Sequence, residues 1–177
     1  MYHTMAEIPD NIIPVQEADD LYKTYGDDRA PIIEKDVNDQ YRGQDPPYEA
    51  TRFVTADYEK LKEYIAFIDQ ESKEAGVTPK GLRIYFGATE PTKGKPGRET
   101  VFFNPVAAFK GIDGDISYAI HTGLDGSKQA ITVGDVIDGK IPKASDTELV
   151  NGGVQSLAGD DWEYPPPPRQ NDPNDYH

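Results

Sequence analysis

Apolar side chains recur at three- and four-residue steps over Val15, Ala18, Leu21, Tyr22 and Tyr25, which predicts an amphipathic helix over 15–25. Pro14 sits where a first-turn proline is tolerated, and Glu17, Asp19 and Asp20 suit the positive end of a helix. Gly26 reads as its stop, and Ile32, Ile33 and Val37 continue as a second helical piece after Pro31. Asp39 to Ala50, with Gly43 and Pro46-Pro47, reads as a loop, and Arg52-Phe53-Val54 as a short strand. The clearest period comes next. Leu61, Tyr64, Ile65 and Ile68 form the stripe of a helix capped by Thr55 or Asp57, running to about Ala75 and closed by Gly76. Glu59, Lys60, Lys62, Glu63, Glu71 and Lys73 populate its wet face.

The pattern then changes from helical to extended. Leu82 to Phe86 is a strand, apolar on both faces at its end, and Thr100 to Phe103 returns beside it after the turn-rich Thr89 to Gly97. Ile116 to His121 and Gln129 to Val133 are further strands, separated by the tight-turn signal Asp125-Gly126. A short helical turn fits 133–141, and periodicity fades from Lys143. Helices followed by a meander of strands give an α+β class: N-terminal helices and one long amphipathic helix on a small, mostly antiparallel sheet. The expected organisation is an irregular lead-in over 1–14, a single domain over 15–143 and an acidic, Pro-rich tail over 144–177.

Composition narrows the function classes. Hydrophobic residues make up only 36%, but 11 Tyr and 6 Phe supply large burial areas, so a packed centre with looser flanks is expected. No stretch approaches the roughly 18 apolar residues of a membrane span, and the N-terminus has no basic-then-apolar leader, so a cytoplasmic location is expected. The absence of cysteine removes disulfides, thiolate nucleophiles and thiolate zinc sites. The net charge of −14 is unevenly spread. Residues 1–50 hold 12 acidic and 4 basic side chains, residues 51–143 hold 13 of each, and residues 144–177 hold 7 acidic against Arg169 alone. The acidity belongs to the flanks, which disfavours nucleic acid and anionic membranes as partners.

The segments Glu17-Ala18, Leu21-Tyr22, Tyr25 and Ile32-Ile33-Glu34-Lys35 are followed by Arg52-Phe53-Val54, Tyr58, Leu61-Lys62, Tyr64 and Gly81-Leu82-Arg83-Ile84-Tyr85-Phe86-Gly87. Over roughly 15–125 this series resembles a family of small uncharacterised bacterial proteins seen especially in flavobacteria and their relatives. The resemblance implies no activity, cofactor or catalytic residue.

The candidate chemistry is sparse. Asp113-Gly114-Asp115 with Asp125 offers oxygens to calcium, and Asp113 and Asp115 fit positions one and three of an EF-hand, but position five is Ser117, the glycine position six is Tyr118 and the glutamate position twelve is Leu124. Turn aspartates are the expected reading. His121 at a strand end has Asp125 and Ser127 nearby, yet Asp125-Gly126-Ser127-Lys128-Gln129 lacks the nucleophile-elbow glycines. Gly94-Lys95 runs into Pro96, and neither it nor Gly152-Gly153 matches a phosphate-cradling loop. Tyr85, Phe86, Phe102, Phe103, Phe109 and Tyr118 fall on adjacent strands, as a stacking platform or, the favoured reading, a sheet core beneath the long helix.

The tail carries the remaining signal. Trp162, the single tryptophan, stands beside Tyr164 and the rigid run Pro165, Pro166, Pro167 and Pro168, a set suited to docking on its own domain or on a protein partner. The leading expectation is therefore a non-enzymatic interaction or structural subunit, self-assembling or bound to another protein through its acidic ends, with no cofactor. The alternatives are an acidic inhibitor that mimics nucleic acid towards a basic partner, and a hydrolase built on a carboxylate pair.

Overall fold

The computed structural model describes residues 9–140 and 153–160. They form two compact units, one from residues 9–53 and 90–98, the other from 54–89, 99–140 and 153–160. Trp162, Tyr164 and Pro165 to Pro168 lie outside the described residues.

In the first unit, α1 (Val15–Asp28) leads through Arg29 into α2 (Ala30–Gln40). Arg29 keeps helical dihedrals and its N–H reaches the Tyr25 carbonyl at 3.0 Å, so the chain stays helical through Gly26, where the sequence predicts a stop. Arg52 explains the glycine. Its guanidinium lies flush on position 26, where a Cβ would come 1.2 Å from Nη2, and covers the Tyr22 ring at 4.4 Å. The sequence predicts a strand at Arg52-Phe53-Val54, but residues 51–54 are irregular, with Arg52 committed to α1. Pro31 falls in the first turn of α2, where a missing N–H costs little.

The loop after α2 runs back along it. Asn38 exchanges two hydrogen bonds with the backbone of Tyr48, at 2.8 and 3.0 Å, and Glu34 accepts from the Ala50 N–H at 3.1 Å. Side chains of α2 thus stand in for a neighbouring strand, and Ala30, Tyr48 and Ala50 close a small core. Arg98 covers the Tyr48 ring at 4.7 Å. Thr92 and Lys95 exchange backbone bonds across Lys93 and Gly94, both at positive φ as a type I′ turn requires.

The second unit is helix on sheet. In α3 (Tyr58–Glu74), Asp57 caps the start by accepting from the Lys60 N–H at 2.9 Å. Gly76 at φ +66 turns the chain out, while the Val77 and Gly76 N–H groups return to the carbonyls of Ser72 and Lys73, a Schellman ending. The strands β1 (Gly81–Ala88), β2 (Glu99–Ala108), β3 (Asp115–Thr122) and β4 (Lys128–Thr132) form an antiparallel meander. Thr132 then caps the short α4 (Val133–Ile137) by accepting from the Asp135 N–H at 3.1 Å. This is the α+β class with the antiparallel sheet that the sequence predicts.

One strand was not foreseen. β5 (Gly153–Gln155) pairs with the second half of β3, and Gly159 exchanges two backbone bonds with Phe103 of β2. The segment enters where β2 and β3 part, and Pro105 explains the parting. Phe103 turns its N–H towards Gly159, and strand alternation turns position 105 the same way, where proline has no N–H to give β3. Asn104 Nδ2 donates instead to the Tyr118 carbonyl at 3.0 Å. Leu157, 1% exposed, fills the opening against Ala107, Tyr118 and Ile120. Tyr64 of α3 fastens it by donating to the Leu157 carbonyl at 2.6 Å.

The wet face of α3 also differs from the pattern. Glu71 is buried, because Lys128 of β4 reaches both its oxygens at 2.8 Å and Glu74 at 2.7 Å. Its neighbour Ser72 bonds the buried Tyr118 hydroxyl at 2.6 Å. A helical period in the sequence cannot show a counter-charge supplied from a distant strand.

Candidate functional site

Backbone geometry decides which groups of β1 face away from β2. Phe103 gives both its N–H and its carbonyl to Gly159, so residues 100, 102, 104 and 106 of β2 are the ones whose backbone faces β1. Their partners in register are Gly87, Tyr85, Arg83 and Gly81. Leu82, Ile84, Phe86 and Ala88 therefore turn their N–H and carbonyl groups outward, along the end of the strand order.

The side chains on that edge are apolar and wet. Phe86 is 90% exposed and Ile84 53%, two residues apart on the face shared with Val101, Phe103 and Pro105. Edge strands are commonly protected by lysine, proline, bulges or brevity. β1 has eight residues and neither lysine nor proline, and its single charge, Arg83, is drawn to the Asp115 carbonyl at 2.7 Å. By contrast β4, at the far end of the path, has five residues and begins with Lys128.

The other sequence candidates are dispersed. Asp115 opens β3 and Asp125 follows its opposite end, and eight residues of strand at about 3.3 Å each hold them more than ~20 Å apart. They cannot share a cation. Asp125 is a turn residue: it accepts from the Ser127 hydroxyl at 2.7 Å and N–H at 3.0 Å, bonds that hold its carboxyl below the usual range. Ser127 is thereby spent on the turn, and His121 sits half-buried between Gln129 of β4 and Val154 of β5. Among the described residues, no three His, Asp or Glu gather as a metal-holding group, and no helix is long and apolar enough to cross a membrane.

The aromatic residues divide between two faces instead of forming one platform. Tyr85 stacks on Phe102 at 4.8 Å, on the opposite face from Phe103 and Tyr118. Tyr118 and Phe109 join the core beneath α3, as the favoured reading expects. Phe86 alone of the six is largely in water. The sequence showed that the end of this strand is apolar on both faces, which ordinarily marks a central strand. Its position at an edge is a property of topology. No family model, curated protein or solved structure matches the chain.

Proposed function

We propose that this chain is a non-enzymatic interaction subunit whose sheet accepts a further strand along the outer edge of β1. The observation that carries the reading is Phe86, 90% exposed beside Ile84 on an edge whose backbone groups at Leu82, Ile84, Phe86 and Ala88 point outward. Strand addition satisfies those groups with main-chain bonds, while alternate side chains supply selectivity. Full burial of one phenyl ring contributes about 1.5–3 kcal/mol. The acidic flanks, with Trp162, Tyr164 and Pro165 to Pro168, are the second contact element of this reading.

Photo-cross-linking in whole cells tests it. A benzophenone side chain at position 86 is expected to give a discrete protein adduct, and one at Leu124, 91% exposed on the turn between β3 and β4, is not. No adduct at 86, or equal labelling at both positions, refutes the reading.

A further inference from the structure

Resting on that reading, we infer that the strand added at β1 is β1 of a second copy, paired antiparallel about a two-fold axis at Tyr85. Outward backbone groups occur at even positions, so a two-fold pairing must set even residues opposite even residues. With Tyr85 on the axis, Ile84 of each chain faces Phe86 of the other, and Leu82 faces Ala88. Each exposed apolar side chain thus meets the other, and the outward N–H and carbonyl groups of all four positions are satisfied.

Charge permits the same register. Arg83 falls opposite Gly87 of the second copy, so the two guanidinium groups do not oppose each other, and glycine leaves them room. β1 lies within 51–143, where 13 acidic side chains are balanced by 13 basic ones, so the net charge of −14 is not concentrated at the join. The pairing consumes the same edge on both chains. It therefore closes at a dimer, where a heterologous contact would propagate.

The experiment uses the full chain, which has no cysteine to confuse a cross-link. Sedimentation across concentration is expected to show a monomer–dimer equilibrium that Phe86→Lys weakens by at least about tenfold and Leu124→Lys leaves unchanged. Mildly oxidised mixtures of Leu82→Cys and Ala88→Cys chains are expected to give disulfide-linked pairs, because directly opposed bonded residues have Cα atoms about 5.5 Å apart. Neither variant alone should cross-link. A monomer at all concentrations, an open-ended series of species, or a dimer indifferent to Phe86→Lys overturns the inference, as does failure of the mixed cross-link. A position-86 adduct to a different protein, with the chain itself monomeric, removes the second copy and leaves the interaction reading standing.

Discussion

Replacing Tyr64 by Phe isolates one hydroxyl that joins α3 to the segment filling the divided sheet. The hydroxyl donates to the Leu157 carbonyl at 2.6 Å and lies 3.2 Å from that of Phe103. Phe103 keeps a second donor, the Gly159 N–H at 3.0 Å, but Leu157 is 1% exposed and loses its donor to no replacement. A buried carbonyl left unpaired costs about 1–3 kcal/mol, and the retained ring leaves little cavity to add to it. The expected loss is therefore about 1–3 kcal/mol, read as a lower urea midpoint at unchanged slope. Amide exchange at Gly159 and Phe103 should accelerate with it.

The same residue gives a pH signature. Burial pushes the Tyr64 hydroxyl up to about 12 from an ordinary 10.0. The fold favours the neutral phenol, so its contribution is complete below pH 10.0 and is lost as pH rises from 10.0 to about 12. Two pK units set an upper limit of about 2–3 kcal/mol, and solvent screening at this half-buried hydroxyl brings the expected loss across that window to about 1–2 kcal/mol. Tyr64→Phe should lose stability less steeply there than the parent protein. An unchanged urea midpoint, or parallel alkaline profiles, refutes the reasoning.

Two other substitutions probe features that the sequence pattern conceals. Lys128→Met leaves Glu71, with its side chain 7% exposed, holding an uncompensated charge, and should cost about 2–4 kcal/mol in denaturant titration, below the limit for a fully buried pair because the Lys128 side chain is 21% exposed. Bonds from Lys128 hold the Glu74 carboxyl below its ordinary 4.5, so the parent's advantage over Lys128→Met is full above that pH and should shrink on acidification. Gly26→Ala, which ordinarily stabilises a helix interior by about 1 kcal/mol, should be neutral or destabilising here because Arg52 must leave the Tyr22 ring. The same change in an Arg52→Ala background should recover the full gain in thermal melts, and simple additivity of the two refutes the assigned role of Gly26.

What the sequence disclosed was whatever local chemistry decides. The stripe of Leu61, Tyr64 and Ile68 with a cap at Thr55 or Asp57 and the Gly76 stop places α3 to within about two residues, and the structure selects Asp57. Turn glycines punctuate the meander in the expected places. What it concealed depends on partners remote along the chain. Gly26 reads as a helix end until Arg52 is placed on it. Glu71 reads as a wet residue until Lys128 arrives. The strand that reads as Thr100 to Phe103 continues through Asn104-Pro105 to Ala108, with proline merely depriving it of one bond to β3. Candidate residues chosen by chemical type, Asp125 and Ser127 among them, are consumed by their own turn. The residues that stand out on the surface, Ile84 and Phe86, are of a type ordinarily assigned to a core.

The missing N–H of Pro105 also bears on the order in which the molecule is made. The meander from β1 to β4 closes through neighbours in the chain, but Tyr64 waits for Leu157, 93 residues later. During synthesis at about 5–20 residues per second, the helix and four strands leave the ribosome before the segment that completes them. Until it does, Ala107, Tyr118 and Ile120 line an unfilled slot between two splayed strands, and the Phe103 backbone waits for the two bonds it exchanges with Gly159. A nascent chain stalled after β4 is thus the species most open to mispairing and to chaperone capture, and the arrival of residues 153–160 ends that exposure.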